Sequence, residues 1–233
     1  MERIGFSTGS LARGDVHAAL RMLGGHSGSA IELSALRVHE LAPLMRAVPH
    51  LDLGRYDHVS VHAPSAFTAA EEPEVARLLL PVARRGWRVI LHPDTIHAAR
   101  HWRPFGDRLC IENMDVRKPG RTVGELSPVF DELPAASFCL DIAHAWQCDP
   151  SLAETTRLLY AFGHRLAEVH VSELDAASRH VRLSYAGVRA FREIAERIPA
   201  EIPLIIEAPV AANEIRAETL ATLDALGRLP IHC

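Results

Sequence analysis

Short apolar or β-branched runs recur along the chain, each followed by a stretch with helical spacing. The runs cover residues 3–7, 30–34, 58–62, 88–92, 108–112, 137–141, 166–171 and 203–207. Their length and composition predict eight strands. Between them, residues 15–23, 38–48, 73–85, 151–162 and 188–198 carry good helix formers with apolar positions at helical spacing. Pro104 interrupts the segment before the fifth run, so that connection should be the least regular.

Strands alternating with helices imply parallel pairing through right-handed crossovers. The final residues that matter in each run, Ser7, Glu32, His62, His92, Glu112, Asp141, His170 and Glu207, stand 20 to 37 residues apart. One strand and one helix fit each interval. Eight such units in 233 residues predict an α/β fold, a (β/α)₈ barrel slightly shorter than usual. An open doubly wound sheet is the alternative, but no GxGxxG follows any run and no Walker sequence occurs. Without a Ser/Gly linker, charge block or low-complexity stretch, residues 1–233 are expected to form a single domain.

Composition narrows the function. With 48% hydrophobic and 23% charged residues the chain is ordinary for a globular protein. No apolar run approaches a membrane span, and the start Met1-Glu2-Arg3-Ile4 does not read as a leader, so a cytoplasmic protein without a membrane partner is expected. Cys110, Cys139, Cys148 and Cys233 show no CxxC spacing, and no disulfide framework is expected. A net charge of −4 gives no broad field for a phosphate backbone, so nucleic acid is open as a partner but not favoured over a small molecule. The unusual figure is 14 histidines, since histidine is the commonest metal ligand.

Seven of the eight strand-end residues are His, Asp or Glu. In such a barrel these ends open on the face that builds the active site. Each polar residue ends an apolar run, as in Val-Ser-Val-His62, Val-Ile-Leu-His92, Leu-Cys-Ile-Glu112, Phe-Cys-Leu-Asp141 and Leu-Ile-Ile-Glu207. Burying so many ionisable groups together is costly unless a cation offsets them. Mixed imidazole and carboxylate donors without thiolate suit Zn²⁺, Mn²⁺ or Fe²⁺, and the number of donors suggests two or three ions, with Glu112 able to bridge two.

These strand ends, with Ile-Glu112-Asn-Met, Leu-Asp141-Ile-Ala-His144-Ala and the opening Gly5-Phe6-Ser7-Thr8-Gly9-Ser10-Leu11, resemble the xylose-isomerase-like barrel superfamily, which includes endonuclease IV and the sugar isomerases and epimerases. The resemblance spans nearly the whole chain. It implies that Glu112, Asp141, His170 and Glu207 form the shared four-ligand metal site. It further implies that His62 and His92 join Glu112 around a neighbouring ion, as in endonuclease-IV-like members. A third site there uses a histidine after the sixth strand and an Asp-x-His after the seventh. Here these correspond to His144 and Ser178-Arg179-His180, with serine in the place of the aspartate. Glu173 or Asp175 could supply the missing carboxylate.

Other residues carry weaker expectations. Glu32 could contact substrate or pair with an arginine such as Arg3. Trp146 and Phe67 could wall the pocket or pack in the core. Arg13, Arg117 and Arg179 fall in loops at the site face, where a guanidinium could hold a phosphate or carboxylate. The remaining histidines, at positions 17, 26, 39, 50, 58, 97, 101, 164 and 232, are expected at the surface.

The ligand set implied by the resemblance favours a metal-dependent hydrolase of the phosphoesterase type, with Glu112, Glu207 and Asp141 in catalytic roles and Arg179, Glu32 and Trp146 near substrate. The absence of a basic face favours a small or phosphorylated substrate over DNA. The alternative is a sugar (phosphate) isomerase or epimerase using one ion. Iron-dependent oxidation and a metal-stabilised module without catalysis are further readings of the same donors.

Overall fold

The structure is a computed structural model that describes residues 3–229. Met1, Glu2, His232 and Cys233, and the expectations attached to them, lie outside the described residues.

Eight parallel strands close into a barrel. They are β1 (Ile4–Ser7), β2 (Ala30–Ser34), β3 (His58–His62), β4 (Arg88–Leu91), β5 (Leu109–Glu112), β6 (Ser137–Asp141), β7 (Leu166–Val171) and, after an antiparallel hairpin of β8 (Glu173–Leu174) and β9 (His180–Val181), β10 (Leu204–Ile206). Strand β1 pairs with both β2 and β10, which leaves the barrel without an edge. The helices are α1 (Thr8–Ala12), α2 (Val16–Leu23), α3 (Val38–Ala47), α4 (Glu72–Arg84), α5 (Val123–Glu132), α6 (Ile142–Cys148), α7 (Ala153–Phe162), α8 (Tyr185–Arg192) and α9 (Ile215–Ala225). The segment containing Pro104 forms short 3₁₀ turns instead of a helix, as expected where proline removes a donor. Expected helix 188–198 is split into α8, which starts earlier behind the Ser184 N-cap, and a 3₁₀ turn at Ala195–Arg197.

Alternation along the strands sorts the side chains. Val59, Val61, Val89, Leu91, Leu109, Ile111, Phe138, Leu140, Val169, Val171, Leu204 and Ile206 join the main apolar core. Their neighbours of opposite parity face inward. There Ile90, Cys110 and Cys139 form a small separate apolar group. Beside them lie Glu32, Ser60, Glu168 and His170, each wholly buried. Such an interior is normally filled by branched apolar side chains, so a polar layer at this depth requires a compensating network. The close approach of β1 to β2 depends on Gly5, because a Cβ there would meet the Ala30 carbonyl oxygen at 1.7 Å. Cys110, Cys139 and Cys148 are free thiols. Among the described residues no helix is long and apolar enough to cross a membrane.

Candidate metal centre

The strand ends open into a cavity of about 560 Å³. His62, His92, Glu112, His144, His180 and Glu207 line it, and Asp141 and His170 sit in its buried floor. The register accounts for part of this convergence, since Asp141 on β6 is paired directly with His170 on β7.

Glu112 occupies the centre. Its Oε2 lies 3.1 Å from His62 Nε2 and 3.4 Å from His92 Nε2. Its Oε1 lies 3.4 Å from His170 Nδ1 and 3.4 Å from His144 Nδ1. Each oxygen of this one carboxylate therefore serves a different set of imidazoles. Glu207 Oε2 lies 3.5 Å from His170 Nδ1 and 3.6 Å from His180 Nε2, which places it between the floor and the hairpin.

Asp141 explains its own spacing to His144. It is the N-cap of α6, and its Oδ1 accepts from the His144 backbone N–H at 2.7 Å. The cap fixes His144 at the third helical position and leaves Asp141 Oδ2 turned into the floor. Asn113 ties the two strand ends together: its side-chain amide donates to the Asp141 carbonyl and its Oδ1 accepts from the Asp141 N–H, both at 2.9 Å. Its own carbonyl accepts from His144 Nδ1 at 2.9 Å. Nothing beyond its place after Glu112 marked Asn113 in the sequence.

Most of the ring nitrogens have partners that fix their orientation. His62 Nδ1 donates to the Ala63 carbonyl at 2.7 Å, and His180 Nδ1 is paired with Ser172 Oγ at 2.8 Å. His170 Nε2 lies 3.1 Å from Glu168 Oε1 and 3.2 Å from Glu32 Oε2. Glu168 also receives Ser60 Oγ at 3.0 Å and a short contact from His58 Nε2. Glu32 is wholly buried, does not line the cavity and does not meet Arg3; it lies beneath His170. His58, expected at the surface, is drawn inward by Glu168.

The electrostatics are those of a cation site. Burial alone would depress the His62 imidazole, but Glu112, Glu32 and Glu207 outweigh it and raise its pKa to about 9. Burial, with the charges of Glu207 and Glu112, raises Asp141 to about 8 despite opposition from His144 and His170. Burial opposes ionisation of Glu112 too, yet His170, His62 and His92 hold it well below the usual carboxylate range. Burial pushes His180 down, against the pull of Glu207. Five buried side-chain atoms have no hydrogen-bond partner among the described residues, and two of them, His170 Nδ1 and Asp141 Oδ2, lie in this floor. Unpartnered polar atoms this deep are costly, and both belong to the group Glu112, Asp141, His170 and Glu207, whose ligand atoms lie within 4.8 Å of one another. The sets His62–His92–Glu112 and Asp141–His144–His180 meet the same criterion. These three sets offer nitrogen and carboxylate donors, which fit divalent transition-metal ions; Cys139, Glu168 and His170 meet the criterion as well.

Basic side chains stand at the rim, most of them paired with carboxylates. Arg13, Arg117, Lys118 and Arg179 line the cavity. Arg117 is paired with buried Asp115, and Arg179 with Asp175 at 2.7 Å, whereas Arg13 makes no ion pair among the described residues. Several expectations at this rim are corrected. Trp146 does not reach the cavity; its ring packs edge-on against Phe191, 5.3 Å between centroids, and its N–H points to the Pro150 carbonyl. Phe67 takes the core alternative and packs against Trp102. Ser178 bonds to the Gln147 side chain instead of facing the two histidines with a carboxylate. Glu173 does not replace it, because its carboxylate accepts from the Ser184 N–H; Asp175 lines the cavity but is held by Arg179.

Fold and site together define a barrel with candidate metal-binding clusters at its strand ends, and comparison gives it a family. Residues 51–226 match the model of the xylose isomerase-like TIM barrel family, and the chain belongs to it. No curated protein sequence matches. Among solved structures, a xylose isomerase domain protein from Alicyclobacillus acidocaldarius subsp. acidocaldarius superposes with a TM-score of 0.63 at 15% identity, covering 98% of this chain and 99% of that one. SacUVDE superposes with a TM-score of 0.55 at 14% identity, covering 98% and 100%. At these identities the likeness establishes the shared barrel.

Proposed function

We propose that the protein is a divalent-metal-dependent hydrolase that cleaves a phosphoester in a small phosphorylated molecule. The observation that carries this reading is the division of Glu112, one oxygen toward His62 and His92 and the other toward His170 and His144. A carboxylate so placed is suited to join two ions. Paired ions would lower the pKa of a water and stabilise charge on the leaving oxygen.

The chain's own residues supply the rest. Glu207, on the cavity floor, would orient the attacking water and accept its proton, while Asp141 and His170 keep the floor rigid. Of the basic side chains at the opening, Arg117, Lys118 and Arg179 are held by Asp115, Asp94 and Asp175, and Arg13 has no ion pair among the described residues, which suits it to the non-bridging oxygens of a phosphate. The cavity volume matches a small ligand, and the acidic net charge does not favour a long nucleic-acid contact.

One observation favours a second reading. The set Glu112, Asp141, His170 and Glu207 is complete by itself, and Ser178 withholds a carboxylate from the third set. A sugar or sugar-phosphate isomerase or epimerase would need only that one ion. The metal-loaded protein should therefore be assayed against sugar phosphates, nucleotides, abasic DNA and free sugars. Phosphate release from small phosphoesters, lost in Glu207→Gln, supports hydrolysis. Interconversion of sugars without phosphate release would replace it with the second reading.

A further inference from the structure

The imidazoles of the site differ in what stands behind them. A metal-bound histidine ordinarily gives its other ring N–H to a carbonyl, carboxylate or hydroxyl, which fixes the ligating tautomer. His62, His170 and His180 each have such an oxygen partner behind the ring, and His144 gives its Nδ1–H to the Asn113 carbonyl, which leaves Nε2 as its lone-pair nitrogen. Behind His92 stands an ammonium. Lys118 Nζ lies 3.2 Å from His92 Nδ1, held there by the Ser65 carbonyl at 2.7 Å and by Asp94 at 3.0 Å.

A lysine ammonium has three donors and no acceptor. His92 Nδ1 must therefore offer its lone pair to Lys118, which puts the ring proton on Nε2, the atom facing Glu112 at 3.4 Å. That is the atom a metal would need. Ligation through Nε2 moves the proton to Nδ1, where it meets the ammonium donor to donor. The fixed positive charge beside the ring also opposes a nearby dication. The loop does not relax this easily: Gly120, at φ +99, packs where a Cβ would strike Pro93 at 2.3 Å, which pins the Lys118 loop against the turn that follows β4.

We infer that Lys118 makes the His62–His92–Glu112 half of the centre the weak, exchangeable half, while the Glu112–Asp141–His170–Glu207 half retains its ion. This rests on the two-ion reading above. Lys118 is a positioning residue, acting through the His92 tautomer. Substituting an acceptor should tighten only that half.

The test uses the metal-stripped full chain, titrated with Zn²⁺ against a chromophoric chelator, with bound ions counted by mass spectrometry. Wild type should show two classes of site. Lys118→Gln, whose amide oxygen can accept the Nδ1 proton, should tighten the weaker class about 10-fold and leave the tighter one unmoved. Lys118→Met should give a smaller gain. The ring ¹⁵N shifts of His92 in the metal-free protein report the tautomer directly: Nε2–H in wild type, Nδ1–H in Lys118→Gln. A second ion that binds with unchanged or weaker affinity in both variants overturns the inference, as does an Nδ1–H tautomer in wild type. A count of one ion in all three proteins overturns the two-ion reading itself, and the inference with it.

Discussion

His170 turns Nδ1 toward Glu112, 3.4 Å from Oε1, while its opposite nitrogen is held from below by Glu168. The buried carboxylate thus decides which nitrogen of His170 faces the centre, and it is itself anchored by Ser60 and His58. Glu168→Gln keeps an oxygen acceptor but removes the charge and allows the amide to flip toward the ring. Affinity for the ion of the four-ligand set should fall about 10- to 100-fold, measured by chelator competition, with the fold retained by circular dichroism. Unchanged affinity would mean that His170 is oriented by its strand alone.

The protonation of the metal-free centre has a definite sign. His62 is raised to about 9 and Asp141 to about 8, so both bind protons in the folded chain that the unfolded chain has released. The His62 contribution is complete below its unfolded value of about 6.5 and is lost as the pH rises through 9; that of Asp141 is lost from about 4 to 8. The metal-free protein should therefore lose stability between pH 6.5 and 9, by about 3 kcal/mol from His62 alone, or about 10 °C in Tm. Metal competes with these protons, so the gain in Tm on adding metal should grow over the same interval. Melting curves with and without chelator check this; a metal-free Tm that is flat or rises with pH contradicts it.

Ser178 lines the same cavity as His144 and His180, but its hydroxyl is taken up by Gln147 where a carboxylate could join a third set. Its backbone, at φ +54, is in the left-handed region, which aspartate tolerates. Gln147 is already positioned to donate to a carboxylate there. Ser178→Asp should raise the number of ions bound at saturation by about one per chain. An unchanged count would place the third set out of use for reasons other than its missing acid.

The strands and their ends were legible because seven of the eight apolar runs carry an ionisable residue at or next to their end, and the runs are short enough to exclude helices. The barrel followed from their spacing. Glu168 and Asn113 were not legible. Glu168 lies inside an apolar strand, where its inward direction depends on the pleat and on closure of the barrel; Asn113 acts through side-chain hydrogen bonds to the Asp141 backbone. The hairpin that carries His180 is too short to leave a periodic signal, and Trp146 failed as a wall because α6 turns its face toward Phe191. Lys118 reads as an ordinary loop lysine until Gly120 brings its segment against the turn that holds His92.

The central claim is that Glu112 joins two metal-binding halves. It is tested most directly by counting ions bound at saturation in the wild type, His92→Ala and Glu112→Gln, by mass spectrometry after dialysis against excess metal. The account predicts more than one ion per wild-type chain, the loss of about one in His92→Ala, and depletion of both halves in Glu112→Gln. A wild-type count of one that is unaltered by His92→Ala would contradict it.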